Sequence, residues 1–189
     1  LNNPIKKRCL NIHHKETSMK KAIAVLLLLA VASFGAFAQG KTLMDKGDFA
    51  ASVGVNLGWG FGVGGGAEMI LARWDIAEKI PLTFGAAVKA GISLTPWFET
   101  TLAGLGTAHF GLGTFTELPE WARKLDWYTA LGLGIGIGGG SGLGIGIATG
   151  GGVSYHFSPS LAVIAESIYA YHFNRYDYGF STIGVQFKL

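Results

Sequence analysis

Gly132-Leu133-Gly134-Ile135-Gly136-Ile137 and, ten residues on, Gly142-Leu143-Gly144-Ile145-Gly146-Ile147 decide the fold. Every second residue is a branched aliphatic and every other one is glycine. A repeat of two belongs to a β-strand, because successive side chains point to opposite faces. One face of these strands is greasy and the other is bare. A water-soluble sheet would carry charge on its second face. Here the second face has almost none, so the greasy face is read as meeting lipid.

The same alternation extends outward in both directions. Leu82, Phe84, Ala86, Val88, Ala90, Ile92 and Leu94 share one face. Thr83, Gly85, Ala87, Lys89, Gly91 and Ser93 share the other. Upstream, Phe49, Ala51, Val53, Val55, Leu57 and Trp59 form an apolar row. Gly62–Gly66 reads as a glycine turn, and the strand after it, 67–76, places Ile70, Ala72 and Trp74 on one face. A fourth strand carries Phe98, Leu102, Phe110 and Leu112 opposite Glu99, Thr101, Thr107 and His109. Leu118–Leu125 has helical character, with Pro119 suited to a first turn. Beyond it come four more strands. The turn Ser158-Pro159-Ser160 separates two of them, and a polar-aromatic loop, Asn174–Tyr178, separates two others. The final row is Ile183, Val185, Phe187 and Leu189. This predicts eight antiparallel strands of about ten to fifteen residues, enough to cross a bilayer at a tilt. Ten would require the second or fourth strand to be two. The fold class is therefore all-β, an up-and-down transmembrane β-barrel.

The leader fits this reading. Met19-Lys20-Lys21 precedes the apolar run Ala22–Ala32, which exits through Ala36-Phe37-Ala38 before Gln39. A basic start, an apolar middle and an A-x-A exit make a secretory signal peptide, with cleavage between Ala38 and Gln39. The expected organisation is an upstream or extended basic region at 1–18, the signal peptide at 19–38 and the barrel at 39–189. The single cysteine, Cys9, falls before the barrel. The mature chain thus has no disulfide framework. Beyond the leader no long apolar run is left, and lipid admits only helices or closed barrels.

Two readings of the barrel compete. A soluble barrel would point its apolar face inward. A membrane barrel points it outward and fills a narrow lumen with small and sparsely charged residues. The scarcity of charge favours the second. So does the placement of Trp59, Trp127, Tyr155, Tyr169 and Tyr171 near strand ends, where interfacial aromatic girdles lie.

The chain is similar to the small eight-stranded outer-membrane barrels of the OmpX type and to the membrane domain of OmpA. The resemblance spans the mature chain. It rests on the signal peptide, on Tyr155-His156-Phe157-Ser158-Pro159-Ser160-Leu161 and on the alternating last strand. It implies an outer-membrane location in a two-membrane bacterium, outer-membrane lipid as surroundings, and periplasmic chaperones and the barrel-insertion machinery as assembly partners. In that family the last strand is the assembly signal, usually ending in an aromatic residue. Here Phe187 stands two residues before the end, on the same face as Leu189. With both termini periplasmic, the outward loops are short and the longest connection, Thr114–Asp126, faces the periplasm.

No catalytic, cofactor or metal constellation is read from the sequence. Gly-x-Gly within strands is not the strand-to-helix turn of a phosphate loop. His109 and His156 stand alone in the sequence. Glu99 and His109 lie about 33 Å apart along one extended strand and cannot pair. Lys89, Glu99, Glu166 and Lys188, joined by Arg73, are read as a luminal charge network, since buried charges need partners. The expected function is a monomeric, non-enzymatic barrel with a structural or surface role and no nucleic-acid partner. A narrow pore or a binding barrel for a small or hydrophobic ligand is the alternative. A surface adhesin is the third.

Overall fold

The computed structural model describes residues 43–57, 60–76, 80–95, 98–138, 142–173 and 177–189. Ala38, Gln39 and Trp59 lie outside the described residues. Eight strands follow one another round a closed antiparallel ring: β1 (Phe49–Asn56), β2 (Phe61–Ile76), β3 (Ile80–Thr95), β4 (Glu99–Gly111), β5 (Leu125–Gly138), β6 (Leu143–Ser158), β7 (Leu161–His172) and β8 (Tyr178–Lys188). β1 closes on β8, with Val53 opposite Val185. Among the described residues no helix is long and apolar enough to cross a membrane; the crossing elements are strands.

The ladder sets the tilt. Followed through β2, β3 and β4, the row through Val53 arrives at Ile135 on β5. Followed through β8, β7 and β6, it arrives at Leu125. The two ends of the row miss each other by ten residues on one strand. Closing eight strands with that stagger requires a tilt of about 40° and leaves an interior only wide enough for side chains.

The alternating rows take the faces that period two demands. Leu131, Leu133, Ile135 and Ile137 of β5 face outward, and Leu133 is 65% exposed. Val53, Val63, Val88, Leu102, Ile145, Val163 and Ile183 are exposed on the same outer wall. Thr83, Lys89, Ser93, Thr101, Thr107 and His109 are buried inside. The usual order of a soluble protein is inverted, with greasy residues outside and polar residues within.

Four local expectations are corrected. Gly62–Gly66 is not a turn but part of β2, with Gly64 opposite Gly54 and Gly65 opposite Val53. Four glycines around a single Val63 leave too little alternation by which to read a strand. Ile70 and Trp74 do not share a face. Leu71 is an extra residue between the pairs Ile70–Gly85 and Ala72–Phe84. This bulge shifts the phase by one, so Ile70 is fully buried while Trp74 is 63% exposed. Tyr178 belongs to β8 rather than to the preceding loop, and it is buried. The helical segment shortens to a 3-10 turn at Ala122–Lys124, with a second at Leu112–Thr114. Ala122 N donates to Pro119 O at 2.9 Å, so the proline does open the turn.

The glycines of the inner wall hold aromatic rings. A Cβ at Gly91 would clash with Phe180 Cγ, and one at Gly136 with Tyr178 Cδ2. A Cβ at Gly152 would lie 2.8 Å from Tyr128 Cε1. Each inward aromatic thus lies over a bare patch of a facing strand. Above the waist the lumen is closed by Phe180 with Ala103, Ala148, Ile168 and Ala170.

Candidate functional site

Below that apolar plug, toward the rim that carries both barrel termini, the interior is polar. His109 sits on β4 between two carboxylates from other strands. Its Nδ1 is 2.7 Å from Asp126 Oδ2 on β5, and its Nε2 is 2.8 Å from Glu68 Oε1 on β2. Thr107 Oγ1 also donates to Glu68 Oε1. Ionised carboxylates only accept, so both ring nitrogens donate and the ring has the hydrogen-bonding of an imidazolium. All three side chains are at most 2% exposed.

The His109 ring stacks on Tyr128 with centroids 5.1 Å apart. Tyr128 carries the network to the barrel waist, where its hydroxyl donates to Glu166 Oε2. Lys89 Nζ donates to the same oxygen at 2.8 Å and to Ser52 Oγ at 3.4 Å, and lies 5.6 Å from the Tyr128 ring centre. The Lys89–Glu166 pair is buried on both sides. Three carboxylates thus face two cations across the lumen. Glu68 Oε2, Asp126 Oδ1 and Glu166 Oε1 are buried with no hydrogen-bond partner among the described residues.

Of the residues read as a charge network, Lys89 and Glu166 meet. The other three do not join them. Glu99 lies at the far rim, where its Oε1 accepts from Gly179 N at 3.3 Å. Lys188 pairs with Asp48 at 2.9 Å at the terminal rim. Arg73 bridges Asp45 and Asp75 there, at 3.0 and 2.9 Å. Of the aromatics, Trp127 and Tyr155 face outward near the terminal rim, and Tyr169 and Tyr171 face outward near the far rim, edge to face at 4.4 Å.

His109 and His156 are not isolated, as their sequence neighbourhoods suggested. His156 Nε2 lies 3.1 Å from Ser154 Oγ, and Ser154 stands opposite Asp126 in the β5–β6 ladder. His109 lies 17 residues from Asp126 and 41 from Glu68 in the chain. Inward parity was their one sequence signal. It gives a face but not a position round the ring. A serine beside a histidine can form a nucleophile and base. Here Ser154 is 2% and His156 5% exposed, so an acyl carbonyl has no path to the hydroxyl in this state. Among the described residues no group of three or more histidine, cysteine or acidic side chains could hold a metal ion.

No protein-family model matches the chain, and no curated protein matches it. Solved structures do. The N-terminal β-barrel domain of Pseudomonas aeruginosa OprF superposes with a TM-score of 0.54 at 16% identity, over 76% of this chain and 98% of that one. A de novo designed transmembrane β-barrel gives 0.47 at 17% identity, over 77% and 98%. Ail, the attachment invasion locus protein of Yersinia pestis, gives 0.46 at 14% identity, over 77% and 100%. The fold is that of the small eight-stranded outer-membrane β-barrels.

Proposed function

We propose that this protein is a closed, monomeric barrel of the bacterial outer membrane, non-enzymatic, with a structural or surface role. The observation that carries this is the inverted build. A predominantly apolar outer wall needs hydrocarbon around it. The interior is filled, by the Glu68–His109–Asp126 and Lys89–Glu166 groups below and by Phe180, Ile168 and Ala170 above.

A pore needs a continuous polar path, and the apolar layer around Phe180 interrupts it. Display of an adhesive surface needs long loops on the outward rim. The far-rim connections are short, whereas the thirteen-residue connection 112–124 lies at the terminal rim. With the termini in the periplasm, the protein shows little of itself outside. Its partners under this reading are outer-membrane lipid and, during assembly, the insertion machinery and periplasmic chaperones.

The test is gel mobility of protein extracted from outer membranes with detergent, followed by planar-bilayer recording. A band that shifts on boiling, with no channel openings, supports the proposal. A stable population of open channels would replace it with the pore. Recovery of the folded chain in the soluble periplasmic fraction would overturn both.

A further inference from the structure

We propose that Leu43–Asp48 is a latch that seals the polar half of the lumen at the terminal rim and swings on Gly47 to admit water and small cations. The segment precedes the first strand, yet it is drawn into the barrel mouth. Met44 is 1% exposed and packs with Ala50 and Ile70, inward residues of β1 and β2. Leu43 reaches the inner wall of β4: a Cβ at Gly111 would meet Leu43 Cβ at 3.7 Å and Asp126 Oδ1 at 3.3 Å. Lys188 of β8 donates to Leu43 O at 3.1 Å. A short stretch of chain thus touches four of the eight strands and crosses the mouth between them.

Buried Leu43 and Met44 anchor it, and Gly47 N and Asp48 O bond Ile70 of β2; its remaining ties are partly exposed charges. Arg73–Asp45 and Lys188–Asp48 are ion pairs whose side chains are 22 to 42% exposed. Pairs of that exposure contribute little and are screened by salt. The hinge is equally plain. Gly47 has φ +93°, its N donates to Ile70 O at 2.9 Å, and nothing surrounds the place its Cβ would occupy.

What the latch covers has unmet demand. Asp126 Oδ1 is buried, without a hydrogen-bond partner among the described residues, and lies on the Gly111 and Leu43 side of the mouth. A buried carboxylate oxygen in that state takes up water or a cation when either can reach it. The chamber ends above at the apolar layer around Phe180. The movement therefore hydrates half of the lumen and opens no through path.

The experiment is thiol accessibility on the refolded chain in detergent micelles, with Cys9→Ser as background. A single Ser154→Cys reports on the chamber. A single Ala148→Cys, buried on the inner wall within the apolar layer, reports on the whole barrel. Labelling uses a small methanethiosulfonate carrying an ammonium group. In the latched chain Ser154→Cys reacts slowly. Its rate rises about tenfold or more with Arg73→Gln plus Lys188→Gln, and rises with sodium chloride between about 0.05 and 0.5 M in the unaltered latch. Ala148→Cys stays unreactive throughout. An unchanged Ser154→Cys rate when both bridges are removed, or no salt response, would make the segment a fixed part of the wall. A parallel rise at Ala148→Cys would mean that the whole barrel opens, and would equally overturn the latch. Heat-shifted mobility of each variant confirms folding. The salt series needs no latch substitution, so it decides the matter even where a variant fails to fold.

Discussion

At the scale of single residues, this barrel is specified by what its glycines leave room for. Gly91 faces the Phe180 ring, and no other residue fits there without moving it. Gly91→Ala should cost about 1–3 kcal/mol, the usual range for overpacking a filled interior. Phe180→Leu should recover part of that cost in the double variant, since neighbours that share a space do not add. Urea unfolding from vesicles, run as a double-mutant cycle, reads the coupling; purely additive costs would mean that ring and glycine are independent. The same logic with charge applies at the waist. Lys89→Met leaves Glu166 buried with only the Tyr128 hydroxyl and should cost about 3–5 kcal/mol. Lys89→Met with Glu166→Gln should cost clearly less than the lysine variant alone, because the stranded charge is gone. A double variant as unstable as the single one would show that the pair matters for its shape rather than its charge.

At the scale of the strand, the outer wall predicts a depth profile. Leu133 projects from the middle of β5 and Leu143 from the far-rim start of β6, both more than half exposed. In a bilayer, Leu133→Arg should cost about 2–4 kcal/mol and Leu143→Arg about 0–1. Equal costs measured by unfolding from vesicles would mean that the wall does not sit in hydrocarbon where its apolar rows imply. Those rows are also why most strands were legible from sequence. In β3 every second residue is apolar and in β5 every second one is branched or aromatic, so parity alone gives both the element and its face. β2 was not legible for two physical reasons. Gly62–Gly66 carries one side chain, Val63, too few to show parity, and the bulge at Leu71 reverses the phase midway. The site was legible to the same half-measure. Inward parity marked Lys89, Glu166 and His109 as luminal. The pairing of Lys89 with Glu166 and of His109 with Glu68 and Asp126 depends on ladder register and stagger, which period two does not encode.

At the scale of the whole molecule, the decisive property is closure, and closure rests on the last few residues. The β1–β8 seam runs from Asn56–Thr182 to Ala50–Lys188. Leu189 N then donates to Phe49 O at 2.8 Å, and Lys188 N to Ser160 O at 2.9 Å, so the chain end is stitched to both neighbours. A soluble sheet tolerates a frayed edge because water takes the free groups. Hydrocarbon does not, and each unpaired backbone group there costs several kcal/mol. Removal of Leu189 alone takes one bond at the rim and should leave the heat-shifted gel band in place. Removal of Phe187–Leu189 takes the last two seam pairs, the Lys188–Asp48 bridge and the outward Phe187 ring together. That chain should refold into micelles with a heat-shifted fraction at least about tenfold smaller, a deficit of about 1.4 kcal/mol or more. If the three-residue truncation still closes fully, the seam is held by its upper pairs, Val53–Val185 to Asn56–Thr182, and the terminal residues serve only recognition during assembly. In-vitro refolding without any assembly factor separates the two, because recognition has nothing to act on there, and any loss must come from the seam itself.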